Sequence, residues 1–236
     1  MTKPAKPSSL GLRAVALLDG LSPARLEALA HECVWRTFDA GQWAVVRPVG
    51  ERDLYFVVSG RVRVTTYSAN GRQVTLREHG PGEHFGEVSA IDGMPRWTDV
   101  MCLESTLLAL LSPVALQRLL HAEPALAERL LHDLAHLVRS LSERVIDLST
   151  LGVHQRLHAE LLRLAHEEGV TANRARIDPA PKHADLASQI STYREEVTRE
   201  LSVLARRGVL RKERGALVVL DVARLEKMAQ EVESGA

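Results

Sequence analysis

Cysteine is scarce in this chain of 236 residues, and its scarcity excludes several kinds of site. Cys33 and Cys102 are far apart and show no metal-ligand spacing, so neither a zinc site nor a disulfide framework is predicted. We expect both to be buried thiols in a reducing cytoplasm, with redox sensing as the alternative. Histidine is more frequent, but no His-x-His pair occurs, and we expect no bound metal.

Long apolar runs and an excess of charge of one sign are also absent. No run approaches the ~18 apolar residues that predict a membrane-spanning helix. The N-terminal stretch lacks a signal-peptide core with a small-residue cleavage site, so a cytoplasmic protein without a membrane partner is expected. Lys plus Arg and Asp plus Glu balance at 30 each, so any nucleic-acid-binding surface has to be local. The length and the 45% hydrophobic content favour one or two domains.

Between about Val34 and Leu111 the chain consists of short β-rich runs separated by turn residues. Several short strands without helices between them predict an antiparallel sandwich or a barrel-like roll. Asn70-Gly71 lies between two alternating runs and predicts a hairpin with a type I′ turn.

A helical region follows this β-rich part. Pro113–His121 predicts a short helix, and Pro124 begins a long one. A long apolar stripe predicts that this helix pairs with its own copy, and the alternative is packing on its own domain. Gly152 then interrupts the helical pattern as a candidate hinge, and Val153–Glu168 predicts a further helix. The stripe consists of Leu126, Leu130, Leu134, Leu137, Leu141, Val145 and Leu148.

The stretch Lys182–Leu210 predicts a helix-turn-helix. Ser191-Thr192 breaks the first helix and is expected to cap the second, with Glu195 completing a capping box. An alternative is an ordinary solvated helix whose charges pair with one another. Arginine can donate to guanine and glutamate can accept from cytosine, so these residue types can read base edges. The second helix is expected to expose Arg194, Glu195, Thr198 and Arg199.

A β-hairpin is predicted directly after this helix. Gly208 ends the helix, and the strands Val209–Lys212 and Ala216–Leu220 are joined by a turn at Glu213–Gly215. From residue 194 to residue 214 there are seven Lys or Arg against four Glu. This basic wing is expected to contact DNA phosphates, with Arg214 at its turn.

A β-roll, a long helix and a winged helix-turn-helix, in that order, resemble the CRP/FNR superfamily of bacterial transcription regulators. The likeness runs from about residue 26 to residue 220. Residues 41–64, GQWAVVRPVGERDLYFVVSGRVRV, resemble the front half of a cyclic-nucleotide-binding domain, and residues 81–96, PGEHFGEVSAIDGMPR, resemble its phosphate-binding cassette. The family's recognition-helix signature RE-x-V-x-R matches residues 194–199.

The resemblance implies an α+β fold. It comprises an N-terminal antiparallel β-roll of the double-stranded β-helix or jelly-roll kind (12–122), a central dimerisation helix (123–151) and a C-terminal winged helix-turn-helix (152–236). It also implies a homodimeric regulator, not an enzyme, that binds a palindromic double-stranded DNA operator and acts with RNA polymerase.

The resemblance further implies a cyclic nucleotide effector, cyclic AMP or else cyclic GMP. Glu87 would accept the ribose hydroxyl, the backbone near Gly86 would donate to the phosphate, and Arg96 would neutralise it. Ser142 would present its hydroxyl to the purine. The chain departs from the family after the cassette arginine, where a hydroxyl and then alanine are usual. Trp97 cannot supply that hydroxyl, and Thr98 is one place late and, in a strand, would face the other way.

This departure leaves alternatives open. Trp97 is expected to fill part of the site, to stack on a purine, or to mark a regulator that needs no nucleotide or senses another ligand. Glu87 and Arg96 could instead form a structural ion pair. A cupin-type metal enzyme is the remote alternative, because His84 and Glu87 lie near one another in sequence. A module that acts on a partner protein is disfavoured by the basic wing, and four-cysteine iron–sulfur sensing is excluded by two cysteines.

Overall fold

A computed structural model describes residues 3–47, 50–68 and 70–230. The chain divides into two compact units, Met1–Leu137 and Val138–Ala236. The boundary falls within the long helix that begins at Pro124 and ends at Thr150. Each unit has its own apolar core.

The first unit is built on two antiparallel sheets. Its strands are β1 (Lys3–Pro4), β2 (Val34–Phe38), β3 (Trp43–Val45), β4 (Leu54–Ser59), β5 (Val62–Tyr67), β6 (Gln73–His79), β7 (His84–Phe85), β8 (Asp99–Cys102) and β9 (Thr106–Leu111). The five-stranded sheet has the order β1-β2-β9-β4-β7, and the four-stranded sheet has the order β3-β8-β5-β6. The predicted antiparallel roll is therefore confirmed.

Strand β4 shows why the roll forms. Tyr55 and Val57 point into a core shared with residues of the four-stranded sheet, whereas Leu54 and Phe56 point into a second core that includes helical residues. A strand covered on both faces needs a continuous apolar run rather than an alternating one. Strand β9 follows the same rule, with Leu108 in the first of these cores.

Helices cover the outer face of the five-stranded sheet. Two of them begin with a Ser-Pro pair in which the serine hydroxyl accepts a backbone N–H: Ser22 from Arg25 at 3.2 Å, and Ser112 from Ala115 at 3.3 Å. Proline at the first helical position costs nothing, because its missing N–H would have no helical partner. The helices are α1 (Ser9–Leu12), α2 (Pro23–Glu32), α3 (Glu87–Asp92), α4 (Pro113–Ala122) and α5 (Pro124–Thr150), with a 3₁₀ turn at Ala16–Leu18.

The second unit contains a winged helix-turn-helix. It comprises the end of α5 and then α6 (Val153–Glu168), β10 (Ala175–Ile177), α7 (His183–Gln189), α8 (Arg194–Arg206), β11 (Leu210–Glu213), β12 (Ala216–Val219) and α9 (Val222–Gln230). The three strands pair antiparallel in the order β10-β12-β11. The predicted helix α6, helix-turn-helix and wing are confirmed.

Two expectations about local structure are wrong. The hairpin at Asn70-Gly71 exists, but it is closed by a Ser68 N–H to Arg72 carbonyl bond of 2.9 Å, and the Gly71 N–H donates to the Ser68 carbonyl at 2.9 Å, so Asn70 and Gly71 are not the two central residues of a type I′ turn. Gly71 adopts a φ of +77°. The loop is thus one residue longer than the predicted turn.

The start of α8 also differs from the prediction. The residue before the helix is Tyr193, whose side chain makes no capping hydrogen bond. Thr192 is buried, and its N–H donates to the Ala187 carbonyl at 2.8 Å. Ser191 adopts a φ of +57°. These two residues therefore build the turn itself, which moves the beginning of α8 beyond the reach of the predicted cap.

Candidate effector site and DNA interface

Gly86 begins the first candidate site, between β7 and α3. It has a φ of +86°, in the left-handed region. A Cβ atom at this position would lie 2.5 Å from Arg96 Nη1 and 2.9 Å from the Asp53 carbonyl oxygen. Only glycine allows the chain to turn here while the guanidinium lies against it.

Arg96 is buried, with 7% of its surface exposed. Its Nε donates to the Glu51 carbonyl at 3.2 Å, its Nη1 to the Gly86 carbonyl at 3.3 Å, and its Nη2 to the Asp53 carbonyl. The guanidinium also lies over the Tyr55 ring, 5.2 Å from the centroid. Burial lowers the pKa of Arg96, and Tyr55 and Asp53 oppose that shift. Three of the five N–H groups of an arginine are thus engaged by backbone oxygens, which holds the side chain in one orientation.

Glu87 occupies the first turn of α3 and is partly buried. Arg96 donates to backbone carbonyls rather than to this carboxylate. The alternative of a structural ion pair between the two therefore finds no support in the part of the chain that the structure describes. His84 lies nearby on β7, with its Nε2 4.0 Å from Asp133 Oδ2 on α5. Burial lowers the pKa of His84, and Glu87 and Asp133 oppose that shift.

The residues after Arg96 take an unexpected course. Strand β8 begins only at Asp99, so Trp97 and Thr98 precede the strand, and the expectation that Thr98 lies within it is wrong. Trp97 is 52% exposed, so its ring does not fill the interior of the roll. Arg47 holds this segment: its Nη1 donates to the Trp97 carbonyl at 2.8 Å, and its backbone N–H donates to Asp99 Oδ1 at 2.7 Å.

Ser142 belongs to the second unit, on the exposed part of α5. Its hydroxyl donates to the Val138 carbonyl at 2.9 Å within the helix.

The apolar stripe of α5 changes character along the helix. Leu126 and Leu130 are buried in the core of the first unit, as the alternative of packing on its own domain requires. Further on, Val145 of the predicted stripe is 63% exposed, and Leu131 and Val138, which precede it at intervals of seven residues but were not part of the predicted stripe, are 66% and 63% exposed. Leu141 and Leu148 belong to the predicted stripe and are also exposed. An uncovered heptad pattern is typical of a helix–helix seam.

Helix α8 carries the second candidate site, and its two faces differ sharply. Val197 and Leu204 lie in the core of the second unit. The opposite face is polar and exposed, as predicted. Arg199 is 69% exposed along its side chain, with Nη1 3.2 Å from Glu196 Oε1. The exposed residues at the front of the helix are Arg194, Glu195, Thr198 and Arg199.

Thr198 is held by two contacts. Its hydroxyl donates to the Arg194 carbonyl at 2.9 Å, and His183 Nδ1 on α7 lies 2.7 Å from the same oxygen. Since the hydroxyl proton goes to the carbonyl, the imidazole acts as the donor in that contact. Burial and the charges of Lys212 and Arg194 lower the pKa of His183.

The wing formed by β11 and β12 is basic but partly neutralised. Glu213 accepts from Arg211 Nη2 at 2.7 Å and also from Arg176 on β10. These hydrogen bonds lower the pKa of Glu213. Lys212 and Arg214 are exposed, and Arg214 lies in the turn. The turn of the wing therefore presents positive charge to solvent.

Comparison with known proteins assigns both units to known domain families. The family model for the cyclic nucleotide-binding domain matches residues 35–123, and the model for the Crp-like helix-turn-helix domain matches residues 155–228. The cyclic AMP receptor protein of Thermus thermophilus is 31% identical over 217 residues, which cover 90% of this chain and 96% of that protein. The chain belongs to the CRP/FNR superfamily of transcriptional regulators.

Two further relatives agree with this assignment. The CRP-like cAMP-activated global transcriptional regulator of Mycobacterium tuberculosis is 26% identical over 220 residues, covering 93% of this chain and 98% of that protein. A crystal structure of a CRP/FNR-family transcriptional regulator from Thermus thermophilus is 25% identical, with a TM-score of 0.67 over 84% of this chain and 99% of that one. These CRP/FNR relatives are regulators rather than enzymes, so the enzyme alternative is set aside.

Three further observations on this CRP/FNR chain concern metal binding, membrane-spanning helices and the two cysteines. Within residues 3–47, 50–68 and 70–230, no group of three His, Cys, Asp or Glu side chains is placed to hold a metal ion. Nor does any helix in the described part of the chain have the length and apolar character needed to cross a membrane. Cys33 and Cys102 are buried, and burial raises their pKa values to about 12 and about 11, which disfavours the reactive thiolate.

Sequence reasoning missed several residues that shape the effector site. Arg47 and Asp99 fix the segment that carries Trp97, yet they are 52 residues apart, and no local sequence pattern links them. The carbonyls of Glu51 and Asp53 hold Arg96, and a backbone acceptor leaves no signal in the sequence. These contacts form because β3 pairs with β8, and β4 with β7 and β9, which brings together residues that are far apart in the sequence.

Proposed function

We propose that this CRP/FNR regulator is a cytoplasmic homodimer that binds a palindromic DNA operator and is controlled by cyclic AMP. The observation that carries the DNA part is the exposed, arginine-bearing front of α8 on a helix whose back is packed in the core. Arg194, Glu195, Thr198 and Arg199 enter the major groove and contact bases, while Arg214 contacts a phosphate. RNA polymerase is the partner through which the bound dimer changes transcription.

The dimer is supported by the uncovered seam on α5. Leu131, Val138 and Val145 recur at heptad spacing with more than half of each residue exposed. A second copy of the same helix, related by a two-fold axis, covers this stripe and places two α8 helices for two half-sites.

The effector is supported by the cassette and by the relatives. Two relatives carry cyclic AMP in their names. Within the part of the chain that the structure describes, Arg96 does not engage the Glu87 carboxylate, and two of the Arg96 N–H groups remain beyond its three carbonyl contacts. Gly86 contributes backbone to the phosphate, and Ser142 presents its hydroxyl to the purine. Trp97 and Thr98 flank the phosphate end.

Control follows from a shift between two arrangements of the protein. Cyclic AMP binds the DNA-competent arrangement more tightly than the other and so increases its population. Gly152, which lies between α5 and α6, is the position at which the backbone changes.

A second candidate is a regulator that needs no cyclic nucleotide or senses another ligand. It is favoured by one observation: the Arg96 guanidinium is already held by three backbone carbonyls and stacked on Tyr55. Binding a phosphate would have to use the remaining N–H groups or displace those contacts.

One experiment separates the two candidates. Random-sequence duplexes are selected on the full-length protein with and without millimolar cyclic AMP, and cyclic AMP and cyclic GMP are titrated calorimetrically. The first candidate predicts a palindromic consensus enriched only with cyclic AMP, binding heat for cyclic AMP, and loss of that heat in Glu87→Gln. The control Glu104→Gln changes a carboxylate of the same unit that is exposed and lies outside the cassette, and this variant is expected to bind cyclic AMP normally. A consensus without nucleotide and no heat would establish the second candidate, and no consensus under either condition would refute both.

A further inference from the structure

A buried polar pair lies beneath the DNA-reading helix. Glu200 follows Arg199 directly on α8 and is 6% exposed, and His158 on α6 is 4% exposed. His158 Nε2 lies 2.8 Å from Glu200 Oε1, which is hydrogen-bonding distance. Neither side chain is part of the exposed face of α8 that is proposed to read DNA.

The pair joins three helices of the second unit. His158 Nδ1 lies 3.3 Å from the Met228 carbonyl oxygen on α9. His154, one turn earlier on α6, has its Nε2 3.8 Å from the other carboxylate oxygen, Glu200 Oε2. The imidazole of His158 therefore lies between a carboxylate of α8 and a backbone carbonyl of α9.

A buried polar pair of this kind adds little to the free energy of unfolding. Burying polar groups costs free energy that their mutual contact returns only in part, and apolar replacements of similar volume are often as stable or more stable. A hydrogen bond, however, depends on direction, whereas apolar packing tolerates small rotations of a helix. The pair therefore favours one setting of α8 against α6 over neighbouring ones.

That setting matters for the residue next to Glu200. Successive residues of an α-helix are about 100° apart around its axis, so fixing the direction of Glu200 also fixes that of Arg199. An arginine reads guanine through two hydrogen bonds whose geometry is lost if the helix turns.

We propose that Glu200, held by His158, is a positioning residue that sets the rotation of α8 and thereby the base discrimination of Arg199. This inference rests on the proposed DNA-binding function. It assigns to the buried face of the helix a part in specificity, with no contact to DNA.

The test compares variants that keep or remove the hydrogen bond at nearly constant volume. Glu200→Gln keeps an oxygen that accepts from the imidazole, Glu200→Met removes it, and the double variant His158→Leu/Glu200→Met makes the whole site apolar. Each full-length variant is titrated with the duplex selected on the wild-type protein and with a duplex whose half-sites are shuffled. The ratio of the two dissociation constants measures discrimination, and thermal unfolding is recorded in parallel.

The proposal predicts that Glu200→Gln stays within about threefold of wild-type discrimination, whereas Glu200→Met and the double variant lose at least about tenfold. The double variant is expected to unfold at or above the wild-type temperature, so the loss is not one of stability. Wild-type discrimination in the double variant would overturn the proposal, as would an equal loss in Glu200→Gln.

A second measurement does not depend on DNA. Amide hydrogen exchange in α8 of the folded protein is expected to be faster in Glu200→Met than in Glu200→Gln, because the helix samples more settings. Equal exchange in the two variants would overturn the proposal even if one of them bound DNA poorly. Failure of the wild-type protein to enrich any duplex would instead refute the proposed function, so the two failures are distinguishable.

Discussion

The proposed dimer seam gives the sharpest prediction, because α5 offers a matched pair of neighbouring residues. Val145 lies on the heptad stripe and is 63% exposed in the single chain, and Ile146 lies one position further round the helix and is 59% exposed. Both are β-branched, so replacing either by alanine changes helix propensity in the same direction. Only Val145 is expected to be covered by the second copy.

The magnitude follows from the atoms removed. Truncating valine to alanine removes two carbons from each copy, worth roughly 0.8 kcal/mol per buried carbon, or about 3 kcal/mol per dimer. Since every 1.4 kcal/mol is about tenfold, Val145→Ala is expected to raise the dimer dissociation constant about 100-fold. Ile146→Ala leaves a solvent-facing position and is expected to change that constant by about twofold at most.

Sedimentation equilibrium over a protein concentration series measures both constants directly. Circular dichroism of each variant, recorded in parallel, checks that the helix is intact. Equal weakening by the two substitutions would refute the assignment of the seam, because the register of the stripe would then be wrong. A wild-type chain that stays monomeric at high micromolar concentration would refute the dimer itself.

Further predictions concern the DNA interface, the effector site and pH. Arg199→Ala is expected to relax base preference at one position per half-site by about 1–3 kcal/mol, whereas Arg214→Ala should weaken binding to all sequences and reduce the salt slope by about one; titrations with single-base-variant duplexes at several salt concentrations measure both. Gly86→Ala should lower the free energy of unfolding by about 1–3 kcal/mol more than Gly93→Ala, and chemical denaturation of the two variants measures this difference. Both glycines have a positive φ, but only at Gly86 would the added Cβ meet close neighbours. Burial lowers the pKa of His79 to about 3, so the unfolded chain binds the proton first as the pH falls. The free energy of unfolding should therefore decrease by up to ~1.4 kcal/mol per pH unit between about pH 6.5 and pH 3, and His79→Leu should reduce this slope in denaturation curves.

Much of the fold could be predicted because the pattern and the burial agree. Strands β4 and β9 have continuous apolar runs and are covered on both faces, and the Ser-Pro pairs at Ser22 and Ser112 begin helices. Gly208 ends α8 with a φ of +70°, in the conformation that its residue type favours. At these positions local preference and tertiary packing favour the same structure.

Other features depend on contacts that no local pattern encodes. Ala175–Ile177 forms β10, which was not predicted, because it pairs with β12, whose residues lie about forty positions further along. The cap predicted at Ser191-Thr192 is absent because these residues form the turn, and α8 begins only at Arg194, after Tyr193. Helix α9 was not predicted, although Leu225 completes the core of the second unit.

The candidate sites also differ in how far the sequence predicts them. The exposed front of α8 could be predicted from helical spacing, since the apolar positions fix which face is buried. The environment of Arg96 could not, because its partners are the carbonyls of Glu51, Asp53 and Gly86. The contact between His158 and Glu200 joins residues 42 positions apart on two helices. Nothing in the sequence around either residue distinguishes it from an exposed polar residue.

The central claim is that two copies of this chain read two half-sites of one duplex through α8. The most direct test is analytical ultracentrifugation with labelled duplex in the presence of cyclic AMP. It measures how many protomers bind, and how tightly, to the selected palindrome and to a single half-site. The account predicts two protomers on the palindrome, and binding to the half-site that is at least about 100-fold weaker. One protomer per duplex, with equal affinity for the palindrome and the half-site, would contradict it.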